Sequence, residues 1–373
     1  MKPHSLNKIK AIGLMSGTSL DGLDLIAAEF WLKNGNWNFN IHFAETVSYS
    51  NEWSEKLRNS PSLSGETLIE LHADYGRFLG IETKRFIGKT GFALNLIASH
   101  GHTVFHQPEK GFTFQAGNGF EIAAVTGITT IADFRSGDVA LGGQGAPLVP
   151  VGDRLLFSEY EYCLNLGGFA NISFEENAKR VAFDICPVNI VLNHFAEKQG
   201  FAFDKNGEFG RKGNVNPELL LKLNQLDFYR KTAPKSLGRE WVEQIFMPVL
   251  NGFEISDEDK LRTVYEHFAR QIAGTVSGRG EGRGKEEEKG KGEGGDRGKM
   301  LVTGGGAYNS FLIELISNQT STEIIIPNDE IVNFKEALIF AFLGVLKYMG
   351  EINCLASVTG ATCDHSSGMV FSI

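Results

Sequence analysis

One arrangement occurs twice in this chain: an apolar run, a glycine-rich turn and a second apolar run. The first copy spans Ile12 to Phe30, and the second spans Cys163 to Phe174. Each copy predicts a β-hairpin, because short apolar runs separated by glycine and small polar residues are typical of hairpins. The repetition constrains the chain to two halves that begin on the same plan.

The first of these turns is the strongest candidate for a ligand site. Successive turn N–H groups form a concave nest for an anion, and glycine lets a ligand approach the backbone closely. Carboxylates in such a turn suit Mg²⁺ or its bound water, with Asp21 as the candidate metal ligand. A tight hairpin without a ligand is the alternative, since such turns are common. The predicted nucleotide-binding residues here are Gly17, Thr18, Ser19, Asp21, Gly22 and Asp24.

Composition favours two domains and excludes several classes of partner. The chain has 373 residues, 42% of them hydrophobic and 22% charged, with a formal net charge of −9. This length suits two hydrophobic cores, and the negative charge argues against binding to nucleic acid or an anionic membrane. No apolar run approaches the roughly 20 residues of a membrane span, and no signal peptide is predicted. We therefore expect a cytoplasmic protein, and leave open whether it forms a homodimer.

Cysteine and histidine spacing indicates neither a zinc site nor a disulfide framework. The four cysteines are scattered, without a C-x-x-C pair. His100, His102 and His106 are close in sequence, but no cysteine or carboxylate at a suitable spacing completes a metal site. We expect His100 and Thr103, at a strand end, to recognise a polar substrate instead.

Apolar periodicity predicts strands that alternate with helices, which indicates an α/β fold. The segment 133–150 is too polar and glycine-rich for a regular element, and is expected to cross between domains. A short strand from Val181 is expected to end at Asp184, with Pro187 in the first turn of the following helix. Further strands are predicted at 37–43, 94–99, 128–132 and 300–303, and helices at 64–86, 120–125, 190–198, 256–276 and 336–348.

These elements predict a first domain at 1–134, completed by 337–373, and a second domain at 135–336. The stretch 278–299 contains only glycine and charged residues. Because such a stretch cannot bury apolar surface, it is predicted to be a disordered loop.

Two further glycine clusters follow predicted strands in the second half: Gly167 and Gly168, and Gly304, Gly305 and Gly306. Facing hairpins can hold a polyphosphate from two sides, and a glycine turn leaves room for a flat base. No cluster matches the P-loop or the dinucleotide-binding fingerprint, which argues against a Rossmann oxidoreductase.

Three charged residues are candidates for chemistry, each with a structural alternative. Asp184, at a strand end, suits a general base, or it caps the following helix. Arg135 contacts an anion or forms a surface ion pair with neighbouring aspartates. Glu336 takes part in catalysis or is a first-turn carboxylate that favours the helix dipole.

The segments that carry these residues resemble the anhydro-N-acetylmuramic acid kinases over nearly the whole chain, apart from 278–299. The resemblance implies the two-domain α/β fold of acetate and sugar kinases, Hsp70 and actin, a ribonuclease H-like fold with ATP in a central cleft. The matching segments are Gly13–Asp24, Ser99–Thr103, Ala132–Arg135, Gly142–Pro150, Asn165–Ile172, Val302–Asn309 and Val358–Ala361.

The resemblance also implies an activity and residue roles. ATP phosphorylates O6 of 1,6-anhydro-N-acetylmuramic acid while water opens the anhydro bridge, giving N-acetylmuramic acid 6-phosphate and ADP. Gly17 to Asp24 bind the ATP phosphates and position Mg²⁺, and Gly304 to Gly306 lie against the adenosine. Asp184 activates the water, while Arg135, Glu336 and Asn189 contribute to sugar binding and catalysis.

The chain departs from the family pattern next to the expected base. Cys186 and Val188 replace smaller residues, and His102 stands where glutamine is expected. These departures favour, as an alternative, a kinase of the same fold that acts on another anhydrosugar or on a sugar hydroxyl. An ATP-driven binding module is a third hypothesis, which the presence of Asp184 argues against.

Overall fold

Two main β-sheets form the framework of the protein. The computed structural model describes residues 8–17, 20–280 and 298–373. The strands are β1 (Ile9–Ser16), β2 (Gly22–Lys33), β3 (Asn36–Ser48), β4 (Leu96–Ser99), β5 (His102–Gln107), β6 (Phe112–Ala116), β7 (Thr130–Ala132), β8 (Tyr162–Leu166), β9 (Phe169–Glu176), β10 (Lys179–Pro187), β11 (Lys299–Thr303), β12 (Glu323–Ile325) and β13 (Met369–Phe371).

Helices connect the strands and cover the sheets. The α-helices are α1 (Asn51–Asn59), α2 (Gly65–Thr90), α3 (Gly119–Thr126), α4 (Ser136–Ala140), α5 (Val149–Leu156), α6 (Asn189–Glu197), α7 (Pro217–Asn224), α8 (Asp227–Arg230), α9 (Arg239–Trp241), α10 (Met247–Asn251), α11 (Asp257–Gly280), α12 (Ser310–Ser317), α13 (Asp329–Met349) and α14 (Ala356–Thr359). A π-helical turn, Val242–Phe246, joins α9 to α10, and single 3-10 turns lie at Ser60–Ser62, Pro108–Lys110, Lys205–Gly207, Gly210–Lys212 and Gly305–Tyr308.

The chain divides into two compact units. The first comprises Met1–Phe157 and Phe334–Ile373, and the second comprises Ser158–Asn333. The predicted boundary after residue 134 lies inside the first unit, because α5 packs there against α13. At this contact a Cβ on Gly152 would lie 2.6 Å from side-chain carbons of Ile339.

Both main sheets have the same strand order. In the first, β3-β2-β1-β4-β7 are neighbours, with β13 added at the edge; in the second, the order is β10-β9-β8-β11-β12. In each sheet, the first three strands of the unit are antiparallel neighbours in chain order. The other two strands, β4 and β7 in the first sheet and β11 and β12 in the second, run parallel to the first strand of the unit. This repeated plan confirms the predicted α/β fold of the acetate and sugar kinase, Hsp70 and actin class, and it confirms both predicted hairpins.

The first unit buries both faces of its sheet. On one face α2 and α3 cover a core that includes Tyr75, Leu79 and Phe86. On the other face α13 lies so close that a Cβ on Gly13 would be 2.1 Å from the carbonyl oxygen of Ala337. Glycine at this position therefore lets the helix backbone rest directly on the central strand.

The second unit has its own core beneath β8, β9 and β10, formed with α6, α7, α11 and α12. Helix α11 supplies Tyr265 and Phe268, both fully buried. The helix begins where the sequence predicts, since the N–H of Asp259 donates to Ser256 Oγ at 3.1 Å. Of the predicted loop 278–299, residues 281–297 lie outside the described residues.

Three local predictions were wrong. The segment 133–150 contains a helix, α4, because the buried carboxylate of Asp138 accepts the Gly145 N–H at 2.7 Å and organises the glycine-rich chain. Strand β10 continues past Asp184 to Pro187, which an edge strand tolerates because only one of its sides faces a neighbouring strand. Helix α13 begins at Asp329, so Glu336 lies in its third turn, not its first.

No helix in the described ranges is long and apolar enough to cross a bilayer.

Candidate functional site

In each unit the candidate residues gather at the edge of the sheet where the parallel strands end. Strands β1 and β4 of the first unit run into Gly17 and His100, and strands β8 and β11 of the second run into Gly167 and Gly304. Ligands of open α/β sheets bind outside the carboxyl ends of the strands. We describe the edge of each unit separately.

The β1–β2 turn presents carboxylates at the edge of the first sheet. Asp21 is exposed and Asp24 is partly buried, opposite Met15 in the register. Thr46 Oγ1 of β3 donates to Asp24 Oδ1 at 2.6 Å. Burial raises the pKa of Asp24, the Thr46 hydrogen bond opposes this, and the charge of Asp21 raises the pKa further. The predicted ligands Thr18 and Ser19 lie outside the described residues.

A buried polar chain supports this turn from below. Tyr49 donates to Ser16 Oγ at 2.8 Å, and its own hydroxyl lies 2.6 Å from that of Tyr75. Ser16 Oγ lies 3.1 Å from His102 Nδ1, and burial lowers the pKa of His102 to about 4. His102 is therefore a neutral support of the hairpin and does not face solvent.

Arg135 is held in place by His100. Its Nε and Nη2 lie 3.0 and 2.9 Å from His100 Nε2, and its Nη1 donates to the Gly145 carbonyl at 2.7 Å. His100 Nδ1 lies 2.9 Å from the Gly101 carbonyl, which can only accept, so Nδ1 carries the proton. Of the two alternatives for Arg135, the surface ion pair with neighbouring aspartates is wrong, because its hydrogen-bond partners are this imidazole and a carbonyl.

Charge is balanced around this guanidinium. Burial, and then the charge of Arg135, lower the pKa of His100 well below its usual range, which keeps the imidazole neutral. Burial lowers the pKa of Arg135 to about 10, and the charge of Glu336 is the largest opposing influence. Arg135 therefore stays cationic near neutral pH, and one hydrogen on each terminal nitrogen remains for an anion.

Glu336 belongs to the same electrostatic group. Burial raises its pKa, the charges of Lys335 and Arg135 lower it, and the charge of Asp24 raises it. Lys335 itself forms a buried ion pair with Asp153 at 3.1 Å. In the first unit, Glu336 is thus coupled electrostatically to both Arg135 and Asp24. The lysine–aspartate pair beside it was missed by the sequence analysis.

In the second unit, the β8–β9 turn is joined to the start of α6. The carbonyl of Gly168 accepts the N–H groups of Val188 and Ile190 at 2.8 and 3.3 Å, and the carbonyl of Gly167 accepts that of Asn189 at 3.2 Å. The first N–H groups of α6 are therefore already paired. Gly168 itself is exposed, and a Cβ there would meet nothing within 4 Å.

The third glycine cluster packs against this turn. Gly304 has a φ of +81°, and a Cβ on it would lie 2.6 Å from Asn165 Oδ1. A Cβ on Gly306 would lie 2.7 Å from that of Leu166. Both glycines are therefore explained by packing within the unit. Gly305 remains exposed, and Asn189 Nδ2 donates to the Leu166 carbonyl at 3.2 Å.

Asp184 lies on edge strand β10, opposite Asn171 and beside a bulge before Cys186. Its Oδ2 accepts the N–H of Leu237 at 2.8 Å, and its own N–H donates to the carbonyl of Lys235 at 3.0 Å. Burial raises the pKa of its carboxyl, and the Leu237 hydrogen bond opposes that shift. A partly exposed carboxylate held by one oxygen suits a general base, because the second oxygen can take a proton. It does not cap α6, which begins at Asn189.

The unusual residues beside Asp184 face inward. Cys186 and Val188 are both fully buried and belong to the hydrophobic core of the second unit. They therefore cannot line a surface that contacts a sugar. Thr103 lies half-buried on β5, opposite Gln115.

Comparisons with known proteins agree along nearly the whole chain. A family model described as anhydro-N-acetylmuramic acid kinase matches residues 9–372. The anhydro-N-acetylmuramic acid kinase of Vibrio cholerae is 34% identical over 381 residues, covering 96% of this chain and 97% of that protein. The protein of the same description from Mannheimia succiniciproducens is 34% identical, covering 96% of this chain and 98% of that protein.

A solved structure also matches most of the chain. It is the activator of the 2-hydroxyisocaproyl-CoA dehydratase from Clostridium difficile with bound ADPNP, at a TM-score of 0.40 and 15% identity, covering 89% of this chain and 92% of that chain.

Proposed function

Because the chain belongs to the anhydro-N-acetylmuramic acid kinase family, we propose that it phosphorylates O6 of 1,6-anhydro-N-acetylmuramic acid while water opens the anhydro bridge. The products are N-acetylmuramic acid 6-phosphate and ADP. This reaction returns a fragment of the cell wall to amino-sugar metabolism, in the cytoplasm, where ATP is available.

The geometry of Asp184 carries the proposal. Opening an acetal with water needs a carboxylate that takes a proton from the water on the face opposite the departing oxygen. The Leu237 N–H orients one oxygen of Asp184 and leaves the other for this task. Its raised pKa brings its basicity nearer to what a base needs at neutral pH.

The β1–β2 turn fits Mg²⁺ by its donor set. Mg²⁺ prefers oxygen ligands and keeps several of its waters, and Asp21 and Asp24 offer carboxylates close enough for one charge to raise the other's pKa. The exposed glycine at 168 fits an approaching phosphate, because, apart from its chain neighbours, no atom of the described residues lies within 4 Å of the position that a Cβ would take. When bound, MgATP supplies the phosphoryl group and neutralises the charge that develops on it.

Arg135 and Glu336 of the first unit orient the sugar and neutralise its charge. Arg135, fixed by His100 and Gly145, directs its free N–H groups at an anionic or polar group of the sugar. Because its pKa is raised, Glu336 is suited either to donate a hydrogen bond to a sugar hydroxyl or to accept a proton from it.

ADP release over a small panel of sugars tests the substrate. The panel contains 1,6-anhydro-N-acetylmuramic acid, N-acetylmuramic acid, 1,6-anhydro-N-acetylglucosamine and N-acetylglucosamine. We expect kcat/KM to be highest for the first sugar. Turnover confined to the ring-open sugars would contradict the proposal, and preference for the other anhydrosugar would reassign the substrate.

A further inference from the structure

Three potential metal ligands from distant parts of the chain meet inside the first unit. They are Asp138 of α4, Cys354 and His365, and their ligand atoms all lie within 4.8 Å of one another. Asp138 and Cys354 are fully buried, while the side chain of His365 is 12% exposed. The proposed reaction gives none of these residues a direct role, although Asp138 also holds the Gly145 backbone that accepts a hydrogen bond from Arg135.

The backbone explains why two of them converge. Cys354 and His365 face each other in an antiparallel bridge, with hydrogen bonds of 3.1 Å in both directions. Directly opposed residues of such a pair project from the same face. Asn353, next in the chain, fixes the segment by donating to the carbonyls of Leu343 and Ser367, each at 3.0 Å.

In the neutral tautomer that its hydrogen bond favours, the His365 ring aims a lone pair at a carboxylate. Its Nδ1 lies 3.1 Å from the carbonyl of Cys363, which can only accept, so Nδ1 carries the hydrogen. Its Nε2 is buried without a hydrogen-bond partner among the described residues, 3.6 Å from Asp138 Oδ1. Two facing acceptors repel unless a proton or a metal cation lies between them. A histidine that donates its other N–H to a backbone carbonyl is also the usual arrangement of a metal ligand.

The thiol completes the donor set. Cys354 Sγ lies 3.1 Å from Asp138 Oδ1, which it bonds through its S–H. Tetrahedral zinc bonds of about 2.0–2.3 Å place ligand atoms roughly 3.3–3.7 Å apart, so the two separations from Asp138 Oδ1 need little adjustment. Thr359 Oγ1 donates to the same Oδ1, and the Gly145 N–H donates to Oδ2, each at 2.7 Å, so both oxygens of the carboxylate are fixed.

We propose that Asp138, Cys354 and His365 form a binding site for a zinc-type divalent cation. The cation replaces the thiol proton, which leaves to solvent, and a water takes the fourth position. Thiolate and carboxylate together then cancel the charge of the cation, which a buried site requires. The mixed sulfur, nitrogen and oxygen donors favour Zn²⁺ over Mg²⁺ or Ca²⁺. The site joins the C-terminal segment to α4.

Cobalt titration of the EDTA-treated full-length protein tests this site. One equivalent of Co²⁺ is expected to produce a thiolate charge-transfer band with tetrahedral visible bands, and Zn²⁺ is expected to abolish both. Cys354→Ser should remove the charge-transfer band, and His365→Gln should weaken Co²⁺ binding at least tenfold. Cys363→Ser is the matched control and should bind as the parent does, because Cys363 is exposed and contributes only its carbonyl.

Thermal unfolding gives a second readout. Serine can still donate to Asp138, so metal-free Cys354→Ser should unfold near the parent temperature, while Zn²⁺ should raise Tm only in the parent and in Cys363→Ser. If the parent gains neither a charge-transfer band nor a higher Tm, His365 and Asp138 form only an ion pair and the proposal is overturned. A band that survives in Cys354→Ser, or disappears in Cys363→Ser, also overturns it.

Discussion

The edges of the two sheets have the same backbone plan but opposite polar arrangements. Asp24 on β2 and Asn171 on β9 hold equivalent positions, since each lies opposite the next-to-last residue of the preceding strand. Their neighbours on the third strand are Thr46 in the first unit and Asp184 in the second. The carboxylate is therefore on the second strand in one unit and on the third strand in the other.

The surroundings of the two carboxylates differ as well. A side-chain hydroxyl holds Asp24, and the charges of two further carboxylates, Asp21 and Glu336, are coupled to it. A backbone N–H holds Asp184, and no other carboxylate of the described part of the chain shifts its pKa. We infer that a duplicated frame has been specialised, with the first unit suited to charge neutralisation and the second to proton transfer.

Asp184→Asn is expected to have the largest effect, because it removes the proposed base of the second unit. We expect kcat to fall about 10³-fold, as is typical when a general base is lost, with the affinity for ATP unchanged. In the parent, kcat/KM should fall as the pH drops through the raised pKa of Asp184, because only the ionised form accepts a proton. Steady-state kinetics and nucleotide titration measure both effects. Asp227→Asn is the control, since that carboxylate is 93% exposed on α8; equal losses in both variants would exclude the role of Asp184.

Arg135→Lys tests whether the first unit depends on guanidinium geometry as well as on charge. A lysine keeps the charge but cannot bond His100 through two nitrogens and also reach Gly145. The loss of charged hydrogen bonds should lower kcat/KM for the sugar about 30- to 100-fold. Arg58→Lys, at an exposed position on α1, is the control. Kinetics of Arg135→Lys close to those of this control would show that charge alone suffices.

Asp24→Asn tests whether Asp24 acts through Mg²⁺, in contrast to the proposed role of Asp184 as a base. Asparagine can still accept from Thr46 but lacks the charge that favours Mg²⁺. The Mg²⁺ concentration at half-maximal rate should rise about tenfold, with a smaller change in kcat than in Asp184→Asn. An unchanged Mg²⁺ dependence would remove Asp24 from the metal site. Glu52→Gln is the control, because this exposed glutamate on α1 forms a surface ion pair with Lys56.

The glycines of the second unit allow the finest distinction. Gly304→Ala should reduce the free energy of unfolding by about 2–4 kcal/mol, because the residue has a positive φ and a crowded Cβ position. Gly168→Ala should change it by less than about 0.5 kcal/mol, since the added methyl meets nothing. If a phosphate approaches Gly168, the KM for ATP should rise a few-fold in that variant alone. An unchanged KM would leave that turn a structural hairpin.

Local sequence patterns predicted most helices and strands, but they could not predict how distant strands pair within a sheet. Both hairpins, α2 and the start of α11 follow from apolar spacing, turn residues and a serine cap. Strand β10 was predicted too short because a proline ordinarily ends a strand, and its edge position is a property of the whole sheet. The start of α13 was missed because its first turns carry mixed polar and apolar residues.

The candidate site was also predicted only in part, because some of its residues are positioned by partners far away in the sequence. Turn composition and a strand-end position selected the turn at Gly17–Asp24 and Asp184, and the family resemblance, which the family model confirms, gave them their expected roles. It did not reveal that Arg135 depends on His100, 35 residues away, or that Lys335 pairs with Asp153, 182 residues away. Cys354 and His365 approach Asp138 only through tertiary folding, so cysteine spacing gave no sign of a metal site.

The proposed division of roles depends on water attacking the anomeric carbon with Asp184 as its base. A single turnover in ¹⁸O-water, stopped before the anomeric oxygen exchanges spontaneously, tests this directly by mass spectrometry of the phosphorylated sugar. We predict one ¹⁸O at C1, none in the phosphoryl ester, and parallel loss of labelled product and ADP in Asp184→Asn. An unlabelled C1 in the parent product would contradict the proposed mechanism.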